Sequence, residues 1–229
     1  MGAHTAGDWS ARRLGYAFDD PALLEAALTH RSAGRANYER LEFLGDSVLN
    51  FVVAVLAFRR HPEASEGDLS RYRAALVSSR TLADVAAELD LGDQLRLGGG
   101  ELKSGGFRRG SILADSLEAV IGAVYLDGGL ERAQAVVEQL FAGRLAALPT
   151  AQDLKDPKTR LQEALQSRGL ALPRYAMEEV SGEPHDQWFV ASCEAEALGL
   201  RERGEGASRR KAEQEAAQRV LAALERMQA

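Results

Sequence analysis

From the start of the chain to about residue 148, apolar residues recur at helical spacing, with stop signals between segments and no convincing period-two run. Asp19-Asp20-Pro21 reads as a cap followed by proline at the first helical position, opening a helix through about Thr29. A long helix is predicted from about Glu39 to Arg60, stopped by Pro62, with further helices over about 68–79, 82–89, 111–126 and 130–147. Gly92, the glycine-rich stretch 98–110 and Gly128-Gly129 separate them; that stretch is the longest loop, and long loops in compact domains are often functional.

The pattern changes after residues 149–155, an aperiodic stretch read as a linker. Asp156-Pro157 is again a cap and a first-turn proline, with Leu161 and Leu165 on one face of a short helix ending near Gly169. Three extended segments follow at about 174–180, 187–194 and 196–203, and Ser208 caps a final helix to about Arg226. Trp188 and Phe189 are read as sheet core. The fold class is therefore an all-α domain over 1–148, then a small α+β domain of order α-β-β-β-α over 156–229.

With 45% apolar and 27% charged residues the chain has the composition of a packed, soluble protein. The net charge of −6 is spread over both halves, 16 Lys+Arg against 20 Asp+Glu in residues 1–150 and 12 against 14 in 151–229. Any surface for a polyanion must then be local, and the densest basic run is Ser208-Arg209-Arg210-Lys211. Cys193 is the only cysteine, so no intramolecular disulfide forms and a reducing, cytoplasmic location is expected. No apolar leader opens the chain, and the apolar run Val48 to Phe58 is too short to span a bilayer, so no membrane association is expected.

Glu39, Glu42 and Asp46 stand at i, i+3 and i+7 on the long helix, within a wedge of about 60°. Asp115 and Glu118 form an i, i+3 pair on a helix that is otherwise largely apolar. Acids at helical spacing are usually a solvated face, but acids among apolar neighbours are partly buried, which is costly without a compensating cation. Five carboxylates on two facing helices, with no His or Cys cluster nearby, are hard ligands suited to Mg²⁺, with Mn²⁺ as substitute, rather than zinc.

At this point a resemblance can be stated. Residues 39–47 read ERLEFLGDS, preceded by His30-Arg31-Ser32; residues 100–109 read GELKSGGFRR and residues 112–126 read ILADSLEAVIGAVYL. These blocks, in this order, resemble the endonuclease domain of bacterial ribonuclease III, and the likeness extends over roughly residues 14–226. Residues 156–163 (DPKTRLQE), 182–189 (GEPHDQWF) and 207–217 (ASRRKAEQEAA) resemble a double-stranded-RNA-binding domain. The resemblance implies that Glu42, Asp46, Asp115 and Glu118 hold the catalytic Mg²⁺, that Asp46, Glu118 and Glu39 take part in catalysis, and that Glu66 and Glu101 match acids of lesser or second-site importance. Tyr38 departs from the signature, which usually has asparagine there.

It further implies hydrolysis of double-stranded RNA to 5′-phosphate and 3′-hydroxyl ends, with one or two Mg²⁺ ions stabilising the attacking and leaving oxygens, in the processing of ribosomal RNA precursors and other structured transcripts. A homodimer is implied, for which Phe43, Leu44 and Val48 are candidate contacts. For the duplex, Gln162 and Glu163 on the first helix and His185 in the strand 1–2 loop are candidate minor-groove contacts, and Ser208, Arg209, Arg210 and Lys211 are candidate phosphate contacts at a helix N-terminus. A non-catalytic duplex binder on the same scaffold stays open as an alternative, although retention of all five acids argues against it. A hydrolase of small phosphates leaves the second domain without a task.

Overall fold

The computed structural model describes residues 6–183 and 185–227, and the chain divides into two compact units, Met1–Ala151 and Gln152–Ala229. The first is all helical: α1 (Ala6–Arg13), α2 (Pro21–Ala27), α3 (Glu39–Arg60), α4 (Glu66–Leu76), α5 (Ser79–Glu88), α6 (Gly99–Lys103) and α7 (Gly110–Ala146). Local chemistry sets several starts. The Asp20 carboxylate accepts the Ala22 N–H ahead of Pro21, and Ser65 and Asp68 cap α4 reciprocally. α7 is interrupted where the sequence places a stop, at Gly129, whose φ of 77° suits glycine.

α3 and α7 are the centre of this unit, and glycine decides how closely they cross. A Cβ on Gly45 would lie 1.7 Å from the Glu118 carbonyl oxygen, and one on Gly122 would lie 2.3 Å from that of Leu41. The helices therefore meet backbone to backbone at these two residues. Leu49, Val52 and Val53 of α3 and Leu117, Val120, Ile121 and Val124 of α7 fill the core on one side of the crossing, fully buried. α3 is 22 residues long and apolar enough to satisfy a length test for a membrane span, a property the run Val48 to Phe58 alone did not reveal. Its buried residues face this core, and three acids lie in its first turns.

Two features differ from the sequence reading. α1 carries too few apolar positions to be read as a helix; Trp9 anchors it, buried, with Nε1 donating to the Leu89 carbonyl at 2.8 Å. The stretch 98–110, read as loop, holds α6 and a 3-10 turn at Gly106–Arg108. Glycine opposes helix locally, so tertiary contacts supply the order: Ser32 Oγ accepts the Gly98 N–H at 2.9 Å, and Gly98 approaches the Ser32 carbonyl too closely for any Cβ.

The second unit runs α8 (Pro157–Gln166), β1 (Arg174–Ser181), β2 (Trp188–Ala195), β3 (Leu200–Gly206) and α9 (Arg209–Arg226), the expected α-β-β-β-α order. The sheet is antiparallel in the order β1-β2-β3, Tyr175 pairing with Cys193 and Cys193 with Glu202, and its register slips between Met177 and Glu179. Leu161 and Leu165 of α8 and Ala216, Ala217, Val220 and Leu221 of α9 pack on the sheet face bearing Cys193 and Ala195. Trp188 has the opposite parity, so it points away from the helices and is 48% exposed; the sheet-core reading is corrected for it, and Phe189 is only half-buried. The third strand begins at Leu200 because residues 196–198 form a 3-10 turn closed by Gly199 at φ 64°.

Candidate functional site

The backbone contact at Gly45 and Gly122 brings the acids of α3 and α7 face to face. Glu42, Asp115 and Glu118 each offer a carboxylate oxygen, and these oxygens lie within 4.8 Å of one another. The site opens into a pocket of about 240 Å³ lined by Glu42, Asp115, Glu39, Glu101, Arg31 and Arg109, with His30, Tyr38 and Ser111 among the remaining walls. All three central acids are half-buried.

Burial and mutual repulsion raise the proton affinity of this group. Glu118 is pushed up from 4.5 to about 8, chiefly by burial and then by Asp46, Asp115 and Glu42. Glu42 is raised by burial and by Asp115 and Glu39, against the opposing pull of Arg31; Asp115 is raised by burial while His30 and Arg31 pull it down. A divalent cation relieves both costs at once, and three mutually close carboxylates on rigid helices are the donor set that Mg²⁺ or Mn²⁺ takes.

The predicted fourth ligand, Asp46, is placed differently. It is exposed, outside the three-acid group, and its carboxylate accepts from Asn50 Nδ2 at 2.8 Å. Like-charge repulsion from its neighbours makes a donor one turn along the helix the better partner. Glu39 lines the pocket and pairs with Arg31 at 3.7 Å. Glu101 lines it too, bound by Arg109 at 3.0 Å, whereas Glu66, at the start of α4, accepts from Ser70 Oγ and lies away from the acid pocket. Arg31, Arg109, Tyr38 and Ser111 were not singled out as site residues. A basic pair directly before α7 and the His30-Arg31-Ser32 block were the available signals.

On the next face of α3, Phe43, Phe51 and Phe58 are 78%, 54% and 67% exposed, an unusual density of solvent-facing aromatics. Leu44 is half-buried. Val48 is corrected as a contact candidate: it is 8% exposed and belongs to the core, since five residues turn it about 140° away from Phe43. Beside Phe43 is a cavity of about 960 Å³ lined by Leu23, Ala26, Leu41, Leu44 and Leu126 with Arg35 and Arg40 at its edge.

In the second unit, Gln162 is exposed on α8, and the adjacent Glu163 is engaged by Lys155 at 2.7 Å. His185 is exposed in the β1–β2 turn. Ser208 spends its hydroxyl as the cap of α9, accepting the Lys211 N–H at 3.2 Å. Arg209 pairs with Glu213, and Arg210 with Asp156. Among the described residues Lys211 is the one cation of the run without an ion-pair partner. Two carboxylates tie α8 to α9: Glu213, which sequence reasoning passed over, also takes Lys158 at 2.6 Å, and Asp156, the expected cap of α8, takes Gln214 as well. Gly204 and Gly206 let β3 approach the α9 backbone, where a Cβ on Gly204 would lie 2.1 Å from the Ala216 nitrogen.

Residues 20–145 match the family described as Ribonuclease-III-like, and residues 157–224 match the double-stranded RNA binding motif. Ribonuclease 3 of Alkalilimnicola ehrlichii is 56% identical over 213 residues, 93% of each chain. Ribonuclease 3 of Nitrosococcus oceani is 58% identical over 215 residues, 93% of this chain and 92% of that one. A solved nuclease domain of the Campylobacter jejuni ribonuclease III, described for flexibility in a region involved in dimer formation, is 43% identical with a TM-score of 0.58, covering 59% of this chain and 96% of that one.

Proposed function

The chain belongs to the ribonuclease III family and is an endoribonuclease of double-stranded RNA, and on that premise we propose that it cleaves with Mg²⁺, or Mn²⁺ in its place, held by Glu42, Asp115 and Glu118 with Asp46 as fourth ligand. The observation that supports this is the convergence of three half-buried carboxylates, each with its proton affinity raised by burial and Glu118 most of all. When bound, the cation polarises a phosphoryl oxygen and makes water a stronger nucleophile near neutral pH. The chain's own residues do the remaining work. Glu42 and Glu118 are fixed by the glycine crossing, Glu39 takes a supporting catalytic role at the pocket mouth, and Arg109, steadied by Glu101, is a cationic contact for the incoming phosphate backbone.

The products in this reading carry 5′-phosphate and 3′-hydroxyl ends, and the substrates are ribosomal RNA precursors and other structured transcripts in the cytoplasm. The nuclease domain spans 1–148 and the RNA-binding domain 156–229, joined by 149–155. In the RNA-binding domain Gln162, Glu163 and His185 take minor grooves, and Lys211, with Ser208, Arg209 and Arg210, takes phosphate across the major groove. Glu163 leaves Lys155 to do so. Two copies associate about a twofold axis, Phe43 of each entering the partner's apolar cavity beside its own Phe43 and Leu44.

A long RNA duplex incubated with the purified protein tests the reading. Cleavage requires Mg²⁺, stops in EDTA and is abolished by Glu118→Ala, which keeps its affinity for the duplex. Near-wild-type cleavage by that variant rules out the assigned site.

A further inference from the structure

His30 is buried and held by backbone and ring alike. Its N–H donates to the Arg96 carbonyl at 3.0 Å, its carbonyl accepts the Ala33 N–H at 2.8 Å, and its ring meets the Tyr38 ring edge-on, 5.5 Å between centroids. The imidazole is fixed as well. Nδ1 accepts the Ser32 N–H at 3.1 Å, and the Ser32 hydroxyl lies 2.7 Å from the same nitrogen. A backbone N–H can only donate, so Nδ1 carries no proton. The Ser32 hydroxyl therefore donates to Nδ1 while its oxygen accepts the Gly98 N–H at 2.9 Å. With Nδ1 spent as an acceptor, the ring proton is on Nε2. Among the described residues Nε2 has no hydrogen-bond partner, and it is not sealed from solvent as Nε2 of His61 is. The opening that the His30 ring lines is the acid pocket, with Glu42, Asp115, Arg31 and Arg109. A rigid donor on a pocket wall, spent on nothing in the protein, is available to what enters.

We propose that His30 is a substrate contact of the cleavage site, its Nε2–H donating to a non-bridging oxygen of the RNA phosphate that enters the acid pocket. The inference rests on the reaction proposed above and adds a single N–H donor to the two arginines of the pocket wall. Ser32 is then a positioning residue, since it acts through the imidazole: its N–H and hydroxyl fix which ring nitrogen carries the proton. By accepting the Gly98 N–H it also ties the segment that carries Glu101 and Arg109 to the same ring.

Two substitutions in the full-length chain separate the ring nitrogens. His30→Asn puts a carbonyl oxygen near the place of Nδ1, keeping an acceptor for Ser32 but no donor in the pocket; His30→Gln puts an amide N–H near the place of Nε2. Nitrogen-15 NMR of the histidine-labelled wild type, without RNA or cation, reads the tautomer directly, the His30 signals being those of the four histidines that vanish in His30→Asn. A bare Nδ1 and a protonated Nε2 are expected, and a proton on Nδ1 overturns the proposal. In single-turnover cleavage at saturating duplex and Mg²⁺, His30→Asn should be slower by about 10–100-fold, the scale of a hydrogen bond to a charged group. His30→Gln should recover most of that loss. Mn²⁺ affinity, followed by electron paramagnetic resonance without RNA, should escape the fall of about tenfold or more that losing a ligand's partner brings. A His30→Asn protein that cuts as fast as wild type overturns the contact, as do equal losses in the two variants. A fall in Mn²⁺ affinity as large as the fall in rate also overturns it, marking the ring as a partner of a ligand. Wild type that fails to cut with Mg²⁺ at all overturns the reaction itself, a different failure from wild type and His30→Asn cutting equally fast.

Discussion

Gly45→Ala is the sharpest perturbation this structure offers, because the added methyl has nowhere to go. Its carbon would stand 1.7 Å from the Glu118 carbonyl oxygen and 2.9 Å from the Gly122 nitrogen. Real contacts of this kind stay above 3.0 Å, so α3 and α7 must part locally by about 1.5 Å. Overpacking a core with side chains that can re-rotamer costs about 1–3 kcal/mol; here both obstacles are backbone, which places the cost at about 3 kcal/mol or more. Against a total of about 5–15 kcal/mol that is a large fraction. For a unit of this size it lowers the midpoint of thermal unfolding by about 6–12 °C. The displaced segment carries Glu118, and a misplacement of about 1 Å at a reacting centre costs about 100-fold in rate. Circular-dichroism melts and single-turnover cleavage measure the two effects. Gly143→Ala is the control: it is exposed on α7 beyond the Gly129 break, nothing lies near its Cβ position, and it should stabilise by up to about 1 kcal/mol. A Gly45→Ala protein melting within 2 °C of wild type and cutting at full rate, taking about 2 °C as the scatter of such melts, would refute the backbone crossing as the device that assembles the site.

The raised carboxylates give a pH dependence of definite sign. Between 4.5 and about 8 the folded chain holds the Glu118 proton and the unfolded chain does not, so this stabilisation is complete below 4.5 and is lost as pH rises through about 8. Urea midpoints in EDTA should therefore fall across that window, and fall less in Glu118→Gln; identical profiles for the two proteins would sink the assignment. Cation affinity should rise over the same window, as protons leave the ligands. Lys211→Ala should weaken duplex binding and reduce the salt slope by about one unit, with cleavage at saturating RNA retained; binding curves that superimpose across a salt series would exclude the phosphate contact. Phe43→Asp should shift the protein from dimer to monomer in sedimentation velocity, since each copy forfeits about 1.5–3 kcal/mol of aromatic burial and places a charge in the cavity. A dimer undiminished at micromolar concentration contradicts that interface.

Much of this protein could be read along the chain, because the information is local and periodic. The proline-and-cap starts at Pro21 and Pro157, the span Glu39–Arg60, the stop at Gly128-Gly129 and the α-β-β-β-α order depend on neighbours a few residues apart. So did the suspicion that Asp115 and Glu118 are not a solvated face, which required only their apolar flanks. Where the reading failed, the deciding contact came from far away in sequence. α1 exists because Trp9 finds the Leu89 carbonyl, and α6 because Gly98 docks on Ser32. Trp188 is outside because strand parity relative to two helices, set by the register with β1 and β3, leaves it on the uncovered face. Helical spacing showed that Glu39, Glu42 and Asp46 share a wedge. Tertiary structure chose Glu42 to meet Asp115 and Glu118, because only the crossing of two glycines fixes which turn of α3 faces which turn of α7.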